Sequence, residues 1–213
     1  GADAAVKALA AVGLGEETPA DVDKPDTSLR TGLLESSKAV EKVLAADVDP
    51  RFGEAATSFT DLGLKETLLK GIFNEMKFER PSQVQAETLP LVLNPPFPNL
   101  IAQAFTGSGK TTCFALAMLS RAEEAVKEPQ ALCCCPTREL ATQNYAVLTK
   151  MGMHCDGLRV QLLVPGMEGE GDRLTAQVLV GTPGKIHQLY AMKRTLRLKQ
   201  MKVVVFDEGD NLM

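Results

Sequence analysis

The sequence lacks the features that mark membrane and secreted proteins. No apolar run approaches the roughly 20 residues of a membrane-spanning helix, and Asp3 and Lys7 interrupt the alanine-rich start where a signal peptide would have a continuous apolar core. Tryptophan is absent and aromatic residues make up 5% of the 213 residues, yet the hydrophobic content of 45% is ample for a buried core. We therefore expect an intracellular globular protein with no membrane span.

The five cysteines predict neither a disulfide framework nor a zinc site. Three of them are consecutive, Cys133, Cys134 and Cys135, in the apolar stretch ALCCCPT. Neighbouring side chains on a strand point to opposite faces, and no Cys-x-x-Cys pair or His-rich spacing accompanies these residues. We predict reduced thiols that pack as small hydrophobic side chains in a buried strand.

An excess of positive charge is also missing. The net charge is -4, and the acidity lies in the first part of the chain: residues 1–58 carry 11 acidic and 6 basic side chains, and residues 59–213 carry 16 acidic and 17 basic ones. A body so close to neutral does not by itself indicate a polyanionic ligand. Any nucleic-acid site must therefore be argued from particular residues.

Two kinds of sequence divide the chain. Residues 15–28 have the composition of a linker, and apolar residues at helical spacing between Leu29 and Leu44 predict one amphipathic helix, ended by Asp49 and Pro50. From Phe59 onward, apolar runs alternate with helical segments, which predicts an α/β fold with a parallel sheet and helices on both faces. The predicted strands are 100–104, 131–135, 160–164, 178–180 and 203–206, and the predicted helices are 64–74, 83–93, 110–126, 139–150 and 184–192. The run VVVF at 203–206 predicts a central strand buried on both sides.

The stretch AFTGSGKT, residues 104–111, predicts a phosphate-binding loop. Gly107 and Gly109 allow backbone amides to turn toward an anion, and the helix that follows directs the positive end of its dipole to the same point. In this pattern Lys110 reaches the β and γ phosphates and the Thr111 hydroxyl binds Mg²⁺. The general pattern has glycine where this chain has Ala104. The alternative is a glycine-rich turn with an incidental lysine.

The stretch VVVFDEGD predicts the partner of that loop. Asp207 and Glu208 follow a hydrophobic strand, so they lie at the carboxyl edge of the sheet. We predict that Asp207 holds Mg²⁺ and that Glu208 orients and deprotonates an attacking water. The alternative is a pair of solvated loop charges.

Five motifs in order resemble those of the first RecA-like domain of a DEAD-box RNA helicase. They are FERPSQVQ (78–85) with Phe59 upstream, AFTGSGKT, PTRELATQ (136–143), TPG (182–184) and DEGD (207–210). The resemblance covers residues 59–213. It implies a P-loop NTPase domain of RecA-like fold over 56–213, preceded by an extension at 1–55 that contains the helix. It also implies ATP and Mg²⁺ as cofactors, RNA-dependent ATP hydrolysis and RNA unwinding.

The resemblance also implies roles for individual residues. The ATP site would comprise Phe78, Arg80, Gln85, Ala104, Phe105, Thr106, Gly107, Ser108, Gly109, Lys110, Thr111 and Thr112, with Gln85 reading the adenine edge. Lys110, Asp207 and Glu208 would be catalytic, and Thr111 and Asp207 would hold the metal. The backbone of single-stranded RNA would contact Pro136, Thr137, Arg138, Thr182, Pro183 and Gly184. Proline and threonine are also common at helix starts, which is the structural alternative for these last residues.

The sequence departs from the family pattern at three places. Gly209 stands where the family has alanine, Lys77 stands where it has glycine, and PGMEGEG (165–171) lacks the usual paired glycines between two motifs. We expect the chemistry to tolerate Gly209, and the PGMEGEG segment leaves RNA contacts in that loop unsupported.

Within the family, NPPFPNLIAQ, FDEGDNLM and the acidic extension most resemble the helicase of messenger-RNA export. This implies a monomer that works in cytoplasm and nucleus at the nuclear pore, with a nucleoporin and export factors as partners. The alternatives are a translation-initiation helicase, a DNA translocase and a docking module at the pore. The family's second RecA-like domain, with its arginine fingers, is absent from these residues, so we expect the chain alone to hydrolyse ATP very slowly.

Overall fold

The computed structural model of the chain describes residues 42–44, 56–104, 107–166 and 174–212. Its α-helices are α1 (Glu66–Lys70), α2 (Gln83–Leu93), α3 (Lys110–Arg121), α4 (Arg138–Met151) and α5 (Pro183–His187). Two of them continue as π-helical turns, α1 into Gly71–Glu75 and α5 into Gln188–Met192, and 3-10 turns form at Phe59–Leu62 and Gly209–Leu212. No helix in these ranges is long and apolar enough to cross a membrane.

Four parallel strands form the central sheet. They are β3 (Ala131–Cys134), β4 (Val160–Leu163), β5 (Val178–Gly181) and β6 (Val203–Phe206), in the order β4-β5-β3-β6. Every residue of β3 and β5 is buried, as expected for inner strands of a sheet with both faces covered. The parallel fold predicted from the sequence is therefore confirmed.

Two hydrophobic clusters cover the two faces of the sheet. The first is formed by side chains from α1 to α4, among them Leu68, Leu116 and Leu148, which pack with Cys133 and Cys135. The second is formed by the α5 region, with Ile186, Leu189, Leu196, Leu198 and Met201, which packs against Leu132 and Cys134. The three consecutive cysteines thus alternate between the two clusters. All five cysteines are free and buried, which confirms the predicted structural thiols.

Strand β2 (Leu100–Ala102) corrects one prediction. It pairs antiparallel with β1 (Lys42–Leu44), not with the parallel sheet, and Ile101 is 77% exposed. A short apolar run favours an extended backbone but does not specify a pairing partner, and β2 has only three residues. Strand β6 corrects a second prediction, that VVVF forms a central strand. Within the described sheet β6 pairs only with β3 and is therefore an edge strand.

Two predicted helices also differ from the structure. The amphipathic helix was predicted from Leu29 to its end at Asp49 and Pro50, but Lys42–Leu44 form a strand, and residues 29–41 and 45–50 lie outside the described ranges. Helix α3 ends at Arg121 and not at 126, because the buried Gln130 side chain bonds the backbone beyond it. Its Oε1 accepts from the Glu123 amide at 2.9 Å, and its Nε2 donates to the carbonyls of Glu123 and Val126 at 2.8 and 3.0 Å.

Candidate functional site

Helix α3 runs antiparallel to β6, which brings its first turn to the carboxyl edge of the sheet. At the amino edge, Lys202 Nζ donates to the carbonyl of Arg121, the last residue of α3, at 3.2 Å. The 12 residues of α3 span about 18 Å, and the four residues of β6 span about 13 Å. Lys110 at the start of α3 and Asp207 just after β6 therefore lie at the same edge.

The loop before α3 has a backbone that requires glycine. Gly107 and Gly109 have φ angles of 82° and 94°, in the left-handed region. A Cβ on Gly109 would lie 2.3 Å from Nε2 of Gln85, so a side chain there collides with its neighbour. The Lys110 ammonium contacts the carbonyl of Ala104. Phe105 and Thr106 of the predicted loop lie outside the described ranges.

The same loop has polar groups suited to an anion. Ser108 Oγ is buried and has no hydrogen-bond partner among the described residues. The first amides of any helix lack intrahelical partners, and Gly109 caps α3 with no side-chain bond. A phosphate would supply acceptors for both the hydroxyl and these amides. The residues present therefore fit the nucleotide phosphates predicted from the sequence.

Gln85 links helix α2 to this loop. Ser82 and Gln85 form a capping box at the start of α2: Gln85 Oε1 accepts from the Ser82 amide at 3.0 Å, and Ser82 Oγ accepts from the Gln85 amide at 3.3 Å. Ser82 Oγ also contacts the Ser108 carbonyl at 2.7 Å, and Gln85 Nε2 donates to the Gly109 carbonyl at 3.3 Å. Gln85 is 5% exposed. Its side chain thus holds the loop in place. The sequence analysis assigned Gln85 only to recognition of the adenine and did not predict this structural role.

The other predicted adenine residues lie nearby in sequence but in different surroundings. Phe78 is half-buried, packs against the first cluster and donates its amide to the Ile72 carbonyl at 3.1 Å. Arg80 is exposed, two residues before the Ser82 cap.

The two predicted acidic residues, Asp207 and Glu208, lie in different environments. The Asp207 amide donates to the Cys134 carbonyl at 3.1 Å, which continues the β3–β6 ladder, and the Asp207 side chain is half-buried. Glu208 is exposed, has a φ of 50°, and accepts on Oε2 from Asn211 Nδ2 at 3.2 Å. A non-glycine residue in the left-handed region is strained, and such residues cluster at functional sites. At Gly209 a Cβ would meet only Phe206 Cβ, at 3.8 Å, so alanine would fit there as in the family.

Asn144 is a site residue that sequence reasoning missed. It lies on the buried face of α4, is 2% exposed, and donates from Nδ2 to Asp207 Oδ2 at 2.7 Å. The same amide contacts Cys135 Sγ at 3.3 Å, and Cys135 lies 3.7 Å from Cys133 Sγ. The bond between the two sulfurs raises the pKa of Cys133 and lowers that of Cys135. The sequence does contain a signal for this residue. Ala141, Asn144 and Leu148 are spaced so that they share one face of α4, which makes Asn144 a polar residue on an otherwise apolar face.

The predicted RNA residues lie side by side at the carboxyl edge. Pro136, Thr137 and Arg138 follow β3, and Thr182, Pro183 and Gly184 follow its neighbour β5. The cap interpretation holds for Thr137, whose Oγ1 accepts from the Leu140 amide at 3.2 Å. Thr182 makes no side-chain cap bond. Arg138 and Gly184 are exposed, so this part of the edge is open to a ligand.

The parallel sheet, the glycine loop that opens α3 and the acidic residue at the end of β6 define an α/β nucleotide-binding domain of the P-loop class. Comparison with known proteins is more specific. The sequence profile described as "DEAD/DEAH box helicase" matches residues 82–213. The chain belongs to the DEAD/DEAH box helicase family.

The similar proteins are RNA helicases. DEAD-box ATP-dependent RNA helicase 38 of Arabidopsis thaliana is 43% identical over 98% of the chain, which covers 41% of that protein. ATP-dependent RNA helicase DBP5 of Candida albicans is 46% identical over 86% of the chain and 34% of its own length. The structure of S. cerevisiae Dbp5 bound to RNA and ADP BeF3 superposes with a TM-score of 0.69 at 44% identity, covering 73% of the chain and 39% of that protein. The chain therefore spans about two-fifths of the relatives that it matches.

Proposed function

We propose that the chain is the ATP-binding half of a DEAD-box RNA helicase, with residues 56–213 as its first RecA-like domain and 1–55 as an extension. The observation that carries this proposal is the shared carboxyl edge, at which the glycine loop before α3, Asp207 and the two RNA motifs all lie. Relatives of the same family that are named as ATP-dependent RNA helicases support it.

The loop residues of the site bind the triphosphate. Gly107, Ser108 and Gly109 offer backbone amides and the buried Ser108 hydroxyl, which has no hydrogen-bond partner among the described residues. Lys110, now on the Ala104 carbonyl, is the cation that we assign to the β and γ phosphates. Gln85 retains one amide hydrogen and one oxygen lone pair beyond its bonds to Gly109 and Ser82, which suits the hydrogen-bonding edge of an adenine.

Thr111 and Asp207 are the residues that would hold Mg²⁺. The magnesium ion supplies charge neutralisation for the transferred phosphate. Asp207 offers the oxygen ligands that Mg²⁺ prefers, and the Asn144 bond fixes the carboxylate in place. Glu208, exposed at the same edge, is the base that orients and deprotonates the attacking water.

Nucleotide binding tests the first part of the proposal. A fluorescent ATP analogue titrated into the chain with Mg²⁺ should bind, and GTP should compete at least about tenfold less well than ATP, because Gln85 distinguishes the base by hydrogen bonds. Lys110→Ala should remove binding and Gln85→Ala should remove the preference for ATP. Lys150→Ala, an exposed lysine in the last turn of α4, is the control and should bind normally. Equal competition by GTP and ATP would contradict the helicase assignment.

The proteins bound in similar solved structures indicate the subfamily. A variant of S. cerevisiae Dbp5 bound to Nup159, Gle1, IP6 and ADP superposes with a TM-score of 0.67 at 43% identity. We infer that the full-length protein remodels RNA–protein complexes in messenger-RNA export and works at the nuclear pore, in contact with a nucleoporin. A nucleoporin of the Nup159 type should bind the chain in a pull-down. Failure to bind would favour a helicase of the translation-initiation type.

A further inference from the structure

We propose that the concave basic surface at residues 190–199, named here the 190–199 pocket, binds phosphates of a single-stranded RNA segment. This inference rests on the proposed RNA function and extends it to a second place on the domain. The pocket lies at the amino edge of the sheet, away from the motif residues. It has a volume of about 530 Å³ and is lined by Tyr190, Ala191, Arg194, Leu196, Arg197, Leu198 and Lys199.

The charge of this region is strongly one-sided. Residues 174–206 contain no acidic side chain and six basic ones, which are Lys185, Lys193, Arg194, Arg197, Lys199 and Lys202. Lys185 is buried, and Lys202 pairs with Glu123. The remaining four are exposed, and no ion pair or hydrogen bond joins their side chains to any residue in the described ranges. Four neighbouring cations repel one another, and an anionic ligand would reduce that repulsion.

Buried leucines set the direction of the cations. Leu196 and Leu198 are 3% and 5% exposed and pack in the second cluster, while the alternating residues Arg197 and Lys199 are exposed. The turn before them is fixed because the amides of Thr195 and Leu196 both donate to the Leu189 carbonyl, at 3.0 and 3.2 Å. The pocket is thus a built feature of the fold, with its cations directed to solvent.

Arg194 occupies a backbone position where glycine is favoured. Its φ is 54°, and it follows directly after the helical segment at the position where a left-handed glycine commonly ends a helix. An arginine there has a conformational cost that its structural surroundings do not repay, since no described residue pairs with its guanidinium. A phosphate contact would repay it, because guanidinium binds phosphate with paired hydrogen bonds.

One helical segment connects the pocket with the proposed RNA edge. Helix α5 begins at Pro183 and Gly184 at the carboxyl edge, and its π-helical continuation supplies Tyr190 to the pocket at the other edge. His187, Ala191 and Met192 are exposed along it, and Met192 is 73% exposed. An RNA strand that leaves the motif edge at Gly184 can therefore follow this surface to the pocket. There Tyr190 offers a ring on which a base can stack, as in sequence-tolerant single-strand sites.

The test compares short and long RNA. Fluorescein-labelled oligouridylates of about 6 and about 20 nucleotides are titrated into the chain and into Arg197→Gln/Lys199→Gln. The 20-mer should bind the double variant about tenfold more weakly, with a salt slope lower by about 1.4, the value for two lost phosphate contacts on a single strand. Binding of the 6-mer should not change. Lys70→Gln, an exposed lysine on the opposite face of the sheet, should leave both affinities unchanged.

Arg194→Gly separates binding from folding. It should weaken binding of the 20-mer while the melting temperature stays the same or rises, because glycine relieves the left-handed strain. Equal 20-mer affinity for the original chain and both pocket variants would overturn the inference and leave the proposed function intact. Lack of binding by either RNA would overturn this inference together with the RNA contacts proposed for the motif edge. Inorganic tripolyphosphate is the last ligand to be tested. If the pocket variants bind tripolyphosphate more weakly than the original chain does, while their affinity for the 20-mer is unchanged, the ligand is a free polyphosphate and the RNA inference is wrong.

Discussion

Asn144 Nδ2 donates a hydrogen bond of 2.7 Å to Asp207 Oδ2 and so joins the buried face of α4 to the end of β6. The bond has a charged acceptor and is made by a residue only 2% exposed. A bond of this kind contributes about 1.5–3 kcal/mol. It occupies Oδ2 of Asp207 and restricts the orientation of the carboxylate.

Asn144→Leu should therefore weaken both folding and metal-dependent binding. Leucine has a similar volume but no donor, so Asp207 Oδ2 loses its partner. We expect the free energy of unfolding in urea to fall by about 2 kcal/mol, and the Mg²⁺ dependence of ATP binding to shift to higher Mg²⁺ concentration. Asn74→Leu, at an exposed position, is the control for the substitution itself. Unchanged Mg²⁺ dependence would show that Asn144 is only structural.

Two glycines allow a matched test of the phosphate loop. Gly109→Ala introduces a Cβ 2.3 Å from Gln85 Nε2 at a φ of 94°, so we expect a stability loss of about 1–2 kcal/mol and loss of nucleotide binding. Gly184→Ala meets nothing within 4 Å and has no left-handed backbone, so stability should stay the same or rise slightly. Thermal unfolding and nucleotide titration measure both effects. Normal nucleotide binding by Gly109→Ala would argue against a tight cradle.

Glu208 and Lys77 give a second matched pair, because both have left-handed backbones, with φ of 50° and 60°. Replacement of either by glycine should stabilise the fold by about 0.5–1 kcal/mol through relief of that strain. Glu208→Gly removes the proposed base, whereas Lys77→Gly restores the glycine of the family pattern. In a longer chain that hydrolyses ATP, only Glu208→Gly should abolish turnover. Equal loss by the two variants would refute the role given to Glu208.

The buried thiols predict a loss of stability at alkaline pH. Burial raises the pKa of Cys113 to about 11 and that of Cys134 to about 12 from an ordinary value of 9.0. Above pH 9 the unfolded chain releases these protons before the folded chain does, so stability is complete below pH 9 and falls as pH rises toward 11 and 12. One thiol contributes up to about 1.4 kcal/mol per pH unit.

Urea unfolding from pH 8 to 11 measures this effect. Cys134→Val keeps an apolar, β-branched side chain in the strand and should flatten the curve, and Cys113→Ala should flatten it at some cost in packing. Cys155→Ala should change the curve less, because burial raises the pKa of Cys155 by less than that of Cys113 or Cys134. A pH curve that keeps its full slope in Cys134→Val would contradict the assignment to Cys134.

The sequence predicted the elements whose signals are local. Helix α2 has the predicted bounds because a Ser–Gln capping box begins it, and β6 has them because its four residues are all β-branched or aromatic. Pairing is not local: nothing in the apolar run of β2 indicated β1 as its partner. The end of α3 depends on Gln130, whose buried amide bonds backbone groups four and seven residues before it. The fixed position of Asp207 depends on Asn144, which lies 63 residues away in sequence. Such contacts follow from tertiary packing and leave only a faint trace, one polar residue on a buried face.

The three consecutive cysteines sample both sides of the sheet with sulfur atoms that solvent does not reach. A thiol-reactive dye can therefore attach only after the fold has opened locally or globally. Cys134 reports opening of the layer beneath α5, and Cys133 and Cys135 report opening of the layer beneath α4. The chain thus contains native reporters for measuring, without engineered cysteines, which layer separates first when nucleotide or RNA is removed.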